Sequence, residues 1–369
     1  MHLETLLKLL TFTMGLTFRR FMQFLRLPFS VQWRTLLVRL PWLVPLPVLY
    51  FTSPKGPHPA IIYLPSRGAH KIPIYVFLPL TDPMVSSIGV HLDFHGGGFT
   101  MGSCLEQAPF CALLARKTGR LIMSVDYRKG PLDQFPAAIE DAEDVLAAVL
   151  DSKPYTQAGN FLRSEIRRLS YKQHPNSQLS SLDLTRLSLS GFSSGGNLAQ
   201  NLVLSILNPD ISWPSLIPPT GPPIPVILFY PSFDSRIPES ERPRPTNLRP
   251  LGPFAASISD LSSTYLPNDM RAHPRASPGL ADLRTGLHPR ARFLLILPEV
   301  DSLAQQSEAW IRKMKDEGME GQLTIERVRG MRHGWTQFPE LFLNDEEIRK
   351  KNEIFERAVR FVNISVVEA

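Results

Sequence analysis

The stretch Leu184-Thr185-Arg186-Leu187-Ser188-Leu189-Ser190-Gly191-Phe192-Ser193-Ser194-Gly195-Gly196-Asn197-Leu198-Ala199 decides how this chain reads. Leu184 to Ser190 has the make-up of a strand, and Gly196-Asn197-Leu198-Ala199 opens an apolar run with helical period. Between them stands Gly-x-Ser-x-Gly. On its own that motif is common enough to arise by chance, but strand, sharp turn and helix together make a nucleophile elbow, with Ser193 at the apex and its hydroxyl exposed. Glycines at 191, 195 and 196 let strand and helix approach closely.

Working outward from the elbow, short strand-like runs alternate with longer helical ones after residue 70. Strands are predicted over Ile72 to Leu78, Ile88 to Phe94, Arg120 to Asp126, Pro225 to Tyr230, Phe293 to Leu297 and Leu323 to Val328. Helices are predicted over Cys104 to Thr118, Ala137 to Leu150, Gly195 to Leu207, Ser302 to Glu317 and Asp345 to Val362. This alternation predicts an α/β fold with a mostly parallel central sheet flanked by helices. The polar, basic segment 153–181 reads as a surface insertion with a helical turn or two, and no internal repeat is visible.

An acylating serine needs donors for the oxyanion it creates and a base for its proton. His95-Gly96-Gly97-Gly98 follows a predicted strand, and a glycine run there lets backbone N–H groups enter the site. Gly96 and Gly97 are the candidate donors, with the N–H of Ser194 as the third. In an α/β hydrolase the base comes last in the chain, and among nine histidines His333 alone lies beyond the last predicted strand. His273 and His288 are the fallbacks. The acid should follow a strand, and Pro298-Glu299-Val300-Asp301-Ser302-Leu303 offers both Glu299 and Asp301, the latter also placed to cap a helix.

These segments together resemble the hormone-sensitive-lipase-like family of alpha/beta hydrolases over about residues 70 to 340. His95-Gly96-Gly97-Gly98-Phe99 is similar to its oxyanion motif, and Asp126-Tyr127-Arg128 followed by Phe135-Pro136-Ala137 to its next signature. Asp301-Ser302-Leu303 aligns with the family's Asp-Pro-Leu, which selects Asp301 over Glu299, and His333-Gly334-Trp335 with His-Gly-Phe. The resemblance implies a helical cap built from residues 1–52 and an insertion at about 235–275, on a hydrolase domain spanning 53–369. It also implies hydrolysis of a lipophilic carboxylic ester through an acyl-enzyme, without metal or cofactor. Phe192 for Asp, Ser194 for Ala, Ser302 for Pro and Lys129-Gly130-Pro131-Leu132 for Leu-Ala-Pro-Glu depart from the family pattern. Phe99, Phe192 and Trp335 are the expected pocket walls. The same triad supports acyl transfer or thioester cleavage. A non-catalytic ligand receptor is the remaining alternative, against which Ser193, Asp301 and His333 are all present.

Composition narrows the partners. The net charge is +6, and residues 1–50 hold Lys8, Arg19, Arg20, Arg26, Arg34 and Arg39 against Glu4 alone. A nearly neutral body with a basic N-terminal segment argues against nucleic acid as the ligand. Leu3, Leu6, Leu7, Leu10, Met14, Phe18, Phe21, Met22 and Leu25 recur at helical spacing, giving an amphipathic helix that either caps the site or touches a membrane through residues 1–26. The longest uncharged run there, Leu9 to Phe18, is about half of the ~20 residues that span a bilayer. Leu40 to Phe51 is apolar but broken by Pro41, Pro45 and Pro47, and reads as extended. Cys104 and Cys111, two turns apart on one predicted helix, are too distant for a disulfide. With no convincing secretory signal, the expected location is intracellular, cytoplasmic or peripherally membrane-associated. The sequon Asn363-Ile364-Ser365 carries little weight without such a signal.

Overall fold

A computed structural model describes residues 18–39, 53–80, 86–151, 156–208, 211–238, 241–243, 245 and 261–364. Ten strands are described. Eight form one sheet: β1 (Ala60–Pro65), β2 (Lys71–Phe77), β3 (Ser87–Phe94), β4 (Leu121–Val125), β5 (Ser181–Phe192), β8 (Ile224–Phe229), β9 (Ala291–Val300) and β10 (Leu323–Arg332). Their order is β1-β2-β4-β3-β5-β8-β9-β10, antiparallel at the β1–β2 and β2–β4 pairs and parallel from β4 to β10. The elbow strand β5 therefore lies inside the sheet, between β3 and β8.

Alternate side chains enter two apolar layers, because successive residues of a strand face opposite ways. Ile72, Ile74, Phe293 and Leu295 join one layer with helices α4 (Ala137–Leu150), α5 (Gln157–Gln173), α6 (Ser194–Leu202) and α7 (Ala304–Asp316). Phe77, Leu294 and Ile296 join the other with α3 (Cys104–Thr118) and α8 (Asp345–Ile364). Burial on both faces explains why β4 and β8 are near-continuous apolar runs.

Three elements differ from the sequence expectation. The edge strand β1 was not predicted; it buries Ile62 and Leu64 while Tyr63 faces out. The supposed surface insertion contains α5, a helix of 17 residues whose Leu162, Ile166 and Leu169 pack on the core with Ile62 and Leu64. The helix after the elbow stops at Leu202, and a hairpin of β6 (Ile206–Asn208) and β7 (Ile211–Trp213) takes over the predicted last turn.

Helices α1 (Phe18–Leu25) and α2 (Phe29–Arg39) dock on the loop that leaves β4. Phe21 and Phe24 pack with Leu132, Arg20 pairs with Asp133, and the buried Arg39 donates to the Gly130 carbonyl at 3.1 Å. On the other side of the same loop, Tyr265 in the short helix Ser262–Tyr265 stacks on Phe99 at 4.6 Å and accepts the Phe135 N–H on its carbonyl at 2.9 Å. Residues 1–17 and 40–52, which hold most of the predicted amphipathic segment and the Leu40 to Phe51 run, lie outside the described residues, as do 246–260 of the predicted cap insertion and Ser365 of the sequon.

Candidate active site

The elbow is held in a conformation that few residues adopt. Ser193 has φ 53° and ψ −114°, a strained region for a residue with a Cβ. Backbone bonds fix it there: its N–H donates to the Phe229 carbonyl (2.9 Å), and its carbonyl accepts from Ser232 (3.1 Å) and Gly196 (3.0 Å). Close approach also dictates the glycine, since a Cβ on Gly195 would stand 2.0 Å from the Phe94 carbonyl oxygen.

At the apex, Ser193 Oγ lies 3.0 Å from His333 Nε2, and His333 Nδ1 lies 2.8 Å from Asp301 Oδ2. The strand ends deliver all three groups. Asp301 follows β9, His333 follows β10, and the His333 N–H bonds the Val300 carbonyl at 3.2 Å, tying the two strand ends together. Asp301 is buried, and its second oxygen accepts the Leu303 N–H at 2.8 Å, which closes the turn ahead of α7; that helix has no side-chain cap, so the histidine-orienting reading is the one the geometry carries. Glu299 is exposed and instead accepts the Gly330 N–H at 2.7 Å, pinning the strand that leads to His333. The fallback histidines are occupied elsewhere: His288 Nε2 meets the Ile217 carbonyl at 3.1 Å, and His273 packs on Phe135 and Trp213.

In the glycine loop, carbonyl positions determine which N–H groups are available, because N–H and C=O of a trans peptide point opposite ways. The His95 carbonyl takes the Tyr127 hydroxyl at 2.7 Å and faces Gly195, whose notional Cβ would lie 2.5 Å away. The Gly96 N–H in that same peptide consequently turns away from the elbow. The Gly96 carbonyl accepts from His95 Nδ1 (2.7 Å), and the Gly97 carbonyl from Thr100 (3.1 Å) and Met101 (3.0 Å). Those bonds turn the N–H groups of Gly97 and Gly98 to the opposite side. Ser194 opens α6, where a helical N–H has no acceptor within the helix.

Two of the three expected pocket walls lie elsewhere. Phe192 is buried, stacked on Phe229 at 4.0 Å and edge-on to Phe110 at 5.5 Å, in the layer beneath α3 and α8. Trp335 is fully buried in the same layer. Proximity in sequence to Ser193 and His333 misled because both side chains enter the apolar layer under α3 and α8, where the Tyr230 ring stands between them and His333. Phe99 alone stays half-buried, at φ 62°, between Tyr265 and Tyr127.

Beneath the glycine loop lies a charged group that the sequence showed only as a departure at Lys129. Its ammonium pairs with Asp126 and lies 3.2 Å from His95 Nε2. Burial, with Lys129 adding to it, pushes the His95 pKa down; since Nδ1 donates to the Gly96 carbonyl, Nε2 is left as the acceptor facing Lys129. Burial works against the Asp126 carboxylate, yet the Lys129 ammonium outweighs it and holds Asp126 well below the usual range. On the first turn of α3, burial pushes the Glu106 carboxyl up to about 7.

Comparison with known proteins agrees with this architecture. Residues 91–337 match the family described as alpha/beta hydrolase fold. The chain is 25% identical over 290 residues to the ethyl acetate hydrolase of Pseudomonas putida, covering 77% of each protein. It is 31% identical over 139 residues to the probable carboxylesterase 6 of Arabidopsis thaliana, a match spanning 37% of this chain and only 35% of that protein. Among solved structures, an esterase from Pyrobaculum calidifontis superposes with a TM-score of 0.59 at 25% identity, covering 87% of this chain and 90% of that one. Fold, matched span and relatives agree that this chain belongs to the alpha/beta hydrolase fold family that contains the hormone-sensitive-lipase-like esterases.

Proposed function

We propose that the chain is a serine hydrolase that cleaves a carboxylic ester of a lipophilic small molecule. The row Ser193–His333–Asp301 at a strained elbow is the observation that carries this reading. Ser193 Oγ attacks the ester carbonyl carbon while His333 Nε2 takes its proton, and Asp301 holds the imidazole with Nδ1–H toward the carboxylate. The N–H groups of Gly97, Gly98 and Ser194 receive the oxyanion, so Gly98 replaces Gly96 in the donor set. His333 then returns the proton to the departing alcohol. A water, deprotonated by His333, splits the acyl-enzyme to acid and free Ser193. Half-buried Phe99, stacked on the buried Tyr265, presents aromatic surface beside the donors, which suits an apolar ester. The loop 129–135 carries α1 and α2 on one side and Tyr265 on the other, as a cap would.

The test is turnover of p-nitrophenyl acetate and butyrate together with labelling by a fluorophosphonate probe. Both should occur in the native protein and be lost in Ser193→Ala. Equal behaviour of the two proteins sinks the proposal.

No described helix is long and apolar enough to cross a membrane. Met22, Leu25 and Phe29 are nonetheless exposed at 39%, 48% and 78% around the exposed Arg26, a face suited to anionic lipid. The full chain should sediment with vesicles containing phosphatidylserine and, after deletion of residues 1–26, remain in the supernatant. Equal partitioning of both proteins would leave only the cap role for this segment.

A further inference from the structure

Gln337 lies four residues beyond His333, in a turn closed by its own N–H to the Gly334 carbonyl at 2.9 Å. Its amide touches three separate segments around the site. Nε2 donates to Glu106 Oε2 at 3.2 Å, on the helix that follows the glycine loop. Oε1 accepts from the Tyr230 hydroxyl at 3.4 Å, and the Tyr230 ring packs edge-on against His333 at 4.8 Å. The amide also covers Gly96, where a Cβ would come within 2.9 Å of Oε1 and 3.1 Å of Nε2. The same Cβ would meet the Phe192 carbonyl oxygen at 3.0 Å, so backbone and amide together exclude a side chain at Gly96, a constraint separate from oxyanion donation.

We propose that Gln337, oriented by Glu106, is a positioning residue that sets the spacing between the histidine turn and the oxyanion loop. The need for one is physical. Three consecutive glycines have no side chains with which to anchor themselves, while oxyanion donors act only at roughly 2.7–3.1 Å from the developing charge. A small shift of the loop would weaken every donor together. In its ionised form Glu106 fixes which end of the amide faces α3, since a carboxylate accepts only from the NH2 end. Tyr230 lends the clip a second anchor beside the base, and its hydroxyl is held in turn by Thr336.

This inference rests on the esterase reading, and its test distinguishes the two. Steady-state hydrolysis of p-nitrophenyl acetate is measured for the full chain and for Gln337→Ala, Glu106→Ala, Glu106→Gln and the double alanine variant, with competent sites counted by fluorophosphonate. Gln337→Ala should lower kcat on the order of tenfold with KM changed less than about twofold, a fraction of the loss known for deleting a whole donor. Glu106→Ala should lower kcat in the same direction, the double variant should fall no further than Gln337→Ala, and Glu106→Gln should recover most of the Glu106→Ala loss. Non-additivity is the mark of two residues acting as one clip. If Gln337→Ala does not fold, Gln337→Met keeps the volume without the hydrogen bonds and carries the same expectation. Native kcat in the Gln337 variant, additive losses in the double variant, or Glu106→Gln as slow as Glu106→Ala would each overturn the proposal. A native protein that neither labels nor hydrolyses would instead overturn the esterase reading.

Discussion

Three residues before Ser193, on the strand that leads to the elbow, Ser190 belongs to a second set of serine, histidine and aspartate, wired differently. In the outer set the histidine is the middle member, between Ser193 Oγ and Asp301. In the inner set the serine is: Ser190 Oγ donates to Asp93 at 2.6 Å and meets His91 Nε2 at 2.8 Å. Strand register produces the inner arrangement, since Ser188 and Ser190 of β5 lie opposite His91 and Asp93 of β3, and Ser124 of β4 opposite Asp93. With its proton committed to Asp93, Ser190 must accept from His91 Nε2–H, leaving Nδ1 to accept from the Ser188 hydroxyl at 2.8 Å. His91, Asp93, Ser188 and Ser190 are all fully buried, whereas the His333 side chain is 35% exposed. On the proposed reading, backbone strain, access and a histidine placed to accept its proton are what set Ser193 apart from Ser190. The residue types alone do not distinguish the two serines.

The contrast is broken most forcefully by exchanging each serine for alanine. Ser193→Ala should lower kcat by ~10⁴-fold or more and leave the unfolding midpoint close to native, because the side chain acts only in the reaction. Ser190→Ala should do the reverse. It strands the His91 Nε2–H and removes one of the donors to Asp93, for a loss of about 2–4 kcal/mol by urea unfolding, with kcat per labelled site within about threefold of native. If both variants lost activity at native stability, the inner set would be part of the chemistry.

Proton linkage gives the second test. Burial lowers the His91 pKa to about 3, with Arg120 adding to the effect, and burial raises Asp93 to about 6 despite donors from Ser190, Ser124 and Cys111. His91 alone would contribute stability that is lost as pH falls from about 6.5 toward 3, because the unfolded state binds the proton first. Asp93 alone works the other way: its folded pKa is raised, so its contribution is fully present below about 4 and is lost as pH rises through about 6. Between about pH 4 and 6 each state therefore holds one proton on the pair, on histidine when unfolded and on Asp93 when folded, and the two slopes cancel. His91→Gln, which keeps groups able to bond Ser188 and Ser190, should expose the Asp93 slope. Its stability relative to native should rise by roughly 3 kcal/mol between pH 6.5 and 4. A difference that does not vary with pH would show that the inner set is not balanced in this way.

How far all this could be read from the sequence follows from where each side chain is held. The interior strands β3, β4, β5, β8 and β9 were legible because both faces are buried, and the elbow, the glycine run and the order Ser193, Asp301, His333 were legible because each lies at a strand end. β1 carries only two buried apolar residues, Ile62 and Leu64, and α5 only one apolar stripe within a basic segment, so neither announces itself. The inner His91–Ser190–Asp93 set and the Glu106–Gln337 contact link residues 97 and 231 positions apart, and nothing local signals them. Phe192 was visible as a departure but pointed to the wrong layer. An aspartate there would enter the aromatic stack of Phe110 and Phe229, so the departure belongs to the core.

Ser194 provides the finest division between the two sets, being adjacent to Ser193 yet almost wholly buried. Its Oγ lies 3.3 Å from the Tyr127 hydroxyl, and that hydroxyl already donates to the His95 carbonyl at 2.7 Å. Since the Tyr127 proton is committed to His95, the Ser194 hydroxyl supplies at most a weak second contact. The backbone N–H of residue 194 at the start of α6 survives substitution. Ser194→Ala should therefore change kcat by less than about threefold and stability by less than about 1 kcal/mol, the scale of one weak neutral hydrogen bond. A tenfold fall in kcat at unchanged KM would mean instead that the hydroxyl orients the donor loop through Tyr127 and His95. The catalytic role at this position would then belong to side chain and backbone together.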